Sequence, residues 1–203
     1  METTSFIVLK KIVYREHDLI VHGISPDFGR LDLLASGELR SSDKQLPAIG
    51  LFRELEVAIE APASTLVRID HRELIGECDA IGNDPALFDF AVKSGAFLLK
   101  NCAYELPSPL VYDTLRNMLH HLANPRAPEA WSQLECSVII KSVFLYENGL
   151  LPQLENPRAN GVLEQLVEAG VENQKITDLT PDTWDNLKNF LNKVIKQNNL
   201  PCN

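Results

Sequence analysis

Four cysteines are all that this chain of 203 residues contains, and none stands at metal-binding or redox spacing from another. Cys78, Cys102, Cys136 and Cys202 form no CxxC pair and no Cys/His pattern that would assemble a tetrahedral zinc site, so no metal is expected. Cys102 and Cys136 fall among apolar residues at helical spacing, which predicts buried free thiols acting as small hydrophobes. Cys202 is expected in a frayed tail. No apolar run approaches the roughly 18 to 20 residues that cross a bilayer, and Met1–Thr4 lacks the basic start of a secretory signal. A cytoplasmic protein without membrane association is the expectation. Repeats and low-complexity tracts are missing, as are GxGxxG, a P-loop, GxSxG and HExxH. That removes the phosphate cradle, the nucleophile elbow and the zinc helix, and with them the sequence grounds for an enzyme or a cofactor.

The chain also lacks an excess of positive charge. Nineteen Lys and Arg stand against 28 Asp and Glu, a net charge of −9. This argues against a strongly basic nucleic-acid binder, because neutralising phosphates requires a Lys/Arg surface. Net charge does not describe patches, however. Over residues 1–53 seven bases balance seven acids, so the acidity lies further on. The 45% hydrophobic and 23% charged fractions are those of an ordinary globular protein, long enough for one large or two small domains.

What is present is concentrated at the start. Ser5–Lys44 carries two β-rich runs, Ser5–Tyr14 and Asp18–Ser25, then a turn at Ser25-Pro26-Asp27-Phe28-Gly29 and a third run, Arg30–Ser36. Pro26 pre-sets a turn φ, Asp27 can bond its own following backbone and Gly29 tolerates positive φ, which predicts a three-strand meander. After a polar loop over Arg40–Gly50, expected to be exposed and mobile, Leu51–Ala61 alternates apolar and polar residues as a half-buried strand does, and Thr65–Glu77 supplies a fifth strand. Five strands opening with a meander suit a small oligonucleotide/oligosaccharide-binding (OB) barrel.

The period then changes to helical. Asn83-Asp84-Pro85 opens a helix running to about Tyr104, and Ser108-Pro109 opens a second that ends before Asn124-Pro125. A third is expected from near Pro128 to Asn148-Gly149; its CSVIIKSVFLY run is apolar on nearly every face and predicts the central helix of a bundle. Leu150–Asn160 reads as a connection, Gly161–Ala169 as a short helix and Thr180-Pro181 as the start of a last helix reaching about Asn198. The expected fold is α+β: an N-terminal five-stranded OB-fold β-barrel in residues 1–80, followed by an α-helical bundle in residues 81–203.

Few side chains suggest chemistry. His120 and His121 are adjacent on a helix, about 100° apart and poorly placed to chelate one ion, so ordinary partly exposed histidines are expected. Glu54 and Glu56 share one face of a strand and read as a soluble outer surface. The remaining signal is a basic set on the strand region: Lys10, Lys11, Arg15, Arg30, Arg40 and Lys44. If these converge they form a modest electrostatic groove, with Tyr14, Phe28 or His22 as stacking platforms. The alternative is a scattered, solvated set, since Lys10 and Lys11 must point to opposite faces of a regular strand and Phe28 can simply plug a turn.

The order of these motifs resembles the N-terminal OB domain of the RecO family of bacterial recombination mediators. Tyr14, Glu16 and Asp18 match its Tyr-x-Glu-x-Asp strand end, Ser25, Pro26, Gly29 and Arg30 its turn, and Gly37 and Arg40 its basic loop. Ala91–Glu105, Tyr112–Leu122 and Cys136–Pro152 resemble its first three helices. The resemblance implies a DNA repair and recombination mediator rather than an enzyme. It implies binding of single-stranded and double-stranded DNA, strand annealing, contact with RecR and with the acidic C-terminal tail of single-strand-binding protein, and help in recombinase loading. Phosphate contacts would fall to Arg30, Arg40, Lys44, Lys10, Lys11 and Arg15. Many members carry a four-cysteine zinc element after the third helix; Gln153–Asn160 has none, so no metal site is carried over. Ser36 and Glu38 stand where members are commonly basic or neutral, which lowers the implied DNA affinity. The alternative is a reduced OB-fold/helical interaction adaptor with little DNA binding of its own, and a third class is a hydrolase whose site assembles only in the fold.

Overall fold

Period-two alternation of apolar and polar side chains decides the first part of the computed structural model, which describes residues 2–38, 49–59 and 66–201. Most of the polar loop at Arg40–Gly50 lies outside the described residues, as do Cys202 and the expected strand ends at Ala61 and Thr65. The strands are β1 (Glu2–Tyr14), β2 (Asp18–Ser25), β3 (Gly29–Ala35), β4 (Glu54–Ile59) and β5 (Val67–Gly76). They close into a barrel in the order β1-β2-β3-β5-β4. Antiparallel ladders join β1 to β2, β2 to β3, β1 to β4 and β4 to β5, and a short parallel pairing of β3 with β5 completes the ring. This is the five-stranded OB arrangement expected from the sequence. Phe6, Val8, Val21, Leu33, Leu55 and Val57 fill its interior.

β4 starts later than its alternation suggests. Phe52 takes a left-handed φ of 62° and donates its N–H to Val8 O at 2.8 Å, while Arg53 O accepts from Val8 N at 3.0 Å. Leu51 and Phe52 therefore form a tight turn against β1 before the ladder begins.

A 3₁₀ turn at Asp79–Asn83 leads into five helices: α1 (Pro85–Asn101), α2 (Pro109–Ala123), α3 (Gln133–Glu147), α4 (Pro157–Glu172) and α5 (Pro181–Gln197). Asp84 caps α1, its Oδ1 accepting from Ala86 N at 2.8 Å. α3 starts five residues later than expected from Pro128 because Ser132 and Glu135 form a reciprocal capping box. α4 is longer than the expected Gly161–Ala169, since Asn156 accepts from Arg158 N and Pro157 occupies the first turn, where its missing donor costs nothing. Asn-Pro at 156–157 is thus a helix start rather than part of a connection.

The chain forms two compact units: Met1–Asp79 with Leu98–Tyr112, and Ala80–Phe97 with Asp113–Asn203. In the second, α3 buries residues on nearly every face and packs against both α4 and α5. Gly170 of α4 lies so close to α3 that a Cβ there would sit 2.8 Å from Val143 Cγ2 and 2.9 Å from Ile139 Cγ2. Cys136 and Cys102 are buried as expected, and so is Cys78. Burial and the neighbouring carboxylates push the Cys78 thiol up to about 11, and burial drives Cys136 to about 12, so both stay protonated and inert at neutral pH.

Candidate nucleic-acid interface

The outer face of β1–β2–β3 is the surface on which an OB barrel offers strands to a ligand. Cross-strand partners share a face, so the register writes this surface as rows. Ile7, Ile24 and Arg30 form one; Lys10, His22 and Asp32 the next; Ile12, Ile20 and Leu34 a third; Tyr14 and Asp18 the last. A bulge between Val8 and Lys10 resets β1 so that Lys10 points outward beside His22.

The two ends of this face differ. At the Arg30 end the chain covers itself with the segment following α1. Arg30 N donates to Ala103 O at 3.0 Å, Ser108 N donates to Pro26 O at 2.9 Å, and Tyr104 bridges both Gly29 and Arg30. Gly29 has φ 63°, and a Cβ there would lie 2.2 Å from Leu106 O, so the turn glycine is required both by its conformation and by this close backbone approach. The Arg30 side chain is equally committed. Its Nη1 donates to Leu99 O at 2.6 Å, its Nε and Nη2 face the Asp32 carboxylate at 3.4 and 3.3 Å, and its guanidinium lies 4.6 Å from the Tyr104 ring centroid. Asp32 also accepts from Tyr104 Oη at 2.8 Å and has His22 Nδ1 at 2.7 Å, an ion-pair distance approached off the hydrogen-bond direction. Burial pushes the Asp32 carboxyl up, but His22, Tyr104 and Arg30 together outweigh it and hold the group below its usual range. Burial and the Asp32 carboxylate in turn push the Tyr104 hydroxyl up.

The opposite end is open. Beyond the bulge, β1 runs out as an exposed arm that turns at Arg15, which has a left-handed φ of 57°. Lys10, Lys11 and Arg15 are exposed here beside two apolar side chains, Ile12 at 42% and Val13 at 66% exposure. Arg15 stacks over the Tyr14 ring at 5.1 Å. Lys10 and Arg15 are thus carried on the same arm. Lys11 turns to the other side, where its Nζ donates to Ile49 O at 2.8 Å. Arg30 sits one row from Lys10 but is held by internal partners. Arg40 and Lys44 lie outside the described residues.

Of the three expected stacking platforms, only Tyr14 remains on the open arm. Phe28 packs against the barrel core, and His22 is largely enclosed against Asp32. The residue that sequence reasoning missed is Tyr104, which reads as the last turn of α1. The helix instead ends at Asn101. Pro107 and Pro109, both incompatible with a continuing helix, are the sequence signal for an extended segment between α1 and α2. Glu54 is not simply solvated either, since its Oε1 accepts from Tyr112 Oη at 2.6 Å.

The family profile described as "Recombination protein O N terminal" matches residues 1–77. Over these residues, well under half of its length, the chain is similar to the recombination protein O family. The matched domain supports, at the level of the family, a role in DNA repair and recombination. Comparison with curated proteins gives no significant match. The match ends beside the Arg53–Asp79 ion pair, where Arg53 Nε donates to Asp79 Oδ1 at 3.0 Å and holds that carboxyl below its usual range. Among the described residues no group of three or more His, Cys, Asp or Glu is placed to hold a metal ion. No helix among them is long and apolar enough to cross a membrane.

Proposed function

We propose that this chain acts as a recombination mediator that binds single-stranded and double-stranded DNA, promotes annealing of complementary strands and assists recombinase loading, without a catalytic step of its own. The observation that carries this reading is the exposed β1–β2 arm, which puts Lys10, Ile12 and Tyr14 on one face, with Arg15 stacked over Tyr14, on a barrel that matches the recombination protein O N-terminal profile. Cations that track phosphates beside apolar groups that meet bases are the combination that single strands require. Arg40 and Lys44, which follow β3 in the sequence, extend the phosphate-contacting set in this proposal. Lys11 and Arg30 contribute positive potential while bound to their internal partners.

The proposed protein partners are RecR and the acidic tail of single-strand-binding protein. For the tail, the helical unit offers a groove of matching chemistry between α1, α3 and α5. This cavity of about 170 Å³ is lined by Phe90, Phe97, Ile140 and Ile195, with Lys93 and Lys141 at its margin. An acidic, apolar peptide end would bury its hydrophobic residue there and place its carboxylates by the lysines.

Fluorescence anisotropy with a labelled oligonucleotide of about 20 nucleotides, titrated at increasing salt, tests the DNA reading. Each phosphate contact contributes about 0.7 to the slope of log K against log salt on single strands. Lys10→Ala/Arg15→Ala is expected to flatten that slope by about 1.4. Undetectable binding at low salt, together with an intact RecR complex in the same preparation, would instead favour the adaptor reading. The net charge of −9 is what supports that second reading.

A further inference from the structure

Tyr104 combines two properties: its ring is held by named contacts, and it is still 37% exposed. Backbone bridges to Gly29 and Arg30 fix its Cα, the hydroxyl donates to Asp32 at 2.8 Å, and the Arg30 guanidinium lies over the ring at 4.6 Å. A ring that needed only to fill space would be buried; one that only fringed the surface would be free to rotate. Leu106, two residues on, is 50% exposed and adds apolar surface.

We propose that Tyr104 is a preformed stacking platform for a nucleobase of single-stranded nucleic acid, completing the barrel face from outside the family-matched residues 1–77. This rests on the proposed DNA binding and assigns it a second contact. Two features select a base as the occupant rather than a phosphate. The Asp32 carboxylate beside the ring hydroxyl is paired with Arg30, so the ring presents no uncompensated cation to a phosphate, whereas the flat face of a base is neutral and polarisable. The guanidinium of Arg30 already stacks on Tyr104, so an incoming base extends an Arg–ring stack, an arrangement in which the cation strengthens both contacts. Phosphates then fall to Lys10 and Arg15, on the open part of the same face, and the two ends of the surface divide the nucleotide between them.

The test uses the full chain, an oligothymidine of about 20 nucleotides and an abasic strand of equal length, which has the same phosphates and no bases. Tyr104→Leu is expected to weaken oligothymidine binding about 5- to 150-fold and to leave abasic-strand binding unchanged, while Tyr104→Phe keeps oligothymidine affinity within about threefold of the parent. Equal oligothymidine affinity for a folded Tyr104→Leu variant and the parent overturns the platform but leaves the DNA reading standing. If the parent binds neither strand at low salt, both fail. Because Tyr104→Leu removes a fold contact, photocrosslinking of the unmodified chain to a 5-iodouracil strand gives an independent answer. A crosslinked peptide containing Tyr104 supports the proposal, and crosslinks confined to the β1–β2 arm overturn it.

Discussion

Arg30 donates through Nη1 to the carbonyl oxygen of Leu99 at 2.6 Å, tying the start of β3 to the last turn of α1 within one unit. The contact satisfies a helix-end carbonyl with a cation, the sign that the helix dipole favours at that end. An arginine whose order in the sequence marks it for DNA thus has a structural task as well.

Replacing Arg30 by alanine should therefore lower stability before it alters anything else. Hydrogen bonds to charged groups contribute about 1.5–3 kcal/mol, and the side chain is only 25% exposed, so a loss in that range is expected by chemical denaturation. Arg30→Lys should recover little of it, since one ammonium cannot face Leu99 O, Asp32 and the Tyr104 ring together. A variant as stable as the parent would show that the clasp contributes nothing.

Asp32→Asn tests the charge arithmetic of the same cluster. Because the folded protein holds the Asp32 carboxyl below its ordinary value, that group stabilises the fold above about pH 4, and this contribution is lost as pH falls through the depressed value. A neutral amide at this position cannot make that contribution, so the variant should be less stable at neutral pH and show a shallower loss on acidification. It also removes a negative charge from the DNA-facing surface. Its affinity for single strands should rise, and the salt slope should steepen, in the anisotropy titration.

His121 gives a second, separable pH dependence in the helical unit. It is buried, stacks on Trp131 with ring centroids 4.2 Å apart, and has Nε2 2.7 Å from Asn173 Oδ1. The partly exposed histidine expected from sequence is thus found at His120, while His121 is enclosed. Burial, with Lys175 and His120 nearby, holds His121 below its ordinary value of 6.5 despite the bond to Asn173. The folded state consequently binds fewer protons than the unfolded one. Stability should be full above about pH 6.5 and decline as pH falls from there to the depressed value. In His121→Gln, thermal unfolding followed from about pH 8 to about pH 5 should lose this slope.

Gly170→Ala should destabilise by overpacking. The added methyl would meet Val143 and Ile139 of α3 and the Thr114 hydroxyl of α2, which lies 3.0 Å from its position. Overfilled cores cost about 1–3 kcal/mol. Val143→Ala should relieve part of that cost in the double variant, a coupling that a denaturation cycle would read directly.

The barrel was legible because each of its devices is local. Turn residues at Pro26, Asp27 and Gly29, β-rich runs and the alternation of Leu51–Ala61 are sequence-near signals, and the strands are placed by them. Helix starts were legible where a cap and a proline coincide, as at Asp84-Pro85 and Thr180-Pro181; Asn156-Pro157 has the same form, but its setting between apolar runs disguised it. The candidate site was legible only in part. That Lys10 and Arg15 share an exposed arm depends on a bulge at Leu9 that no periodicity announces. That Arg30 is clasped depends on Leu99 and Tyr104, some 70 residues away, and contacts at that separation leave no trace in spacing.

The barrel unit takes Leu98–Tyr112 from beyond the start of the helix that follows it. On the ribosome this imposes an order: all five strands are synthesised before the piece that covers Gly29 and grips Arg30, and α1 must be made before the unit can finish. A chain cut after residue 80 would hold the nascent state permanently, with Pro26 O unbonded and the stack on Arg30 missing. Strand count alone is therefore a poor guide to where this barrel can be cut.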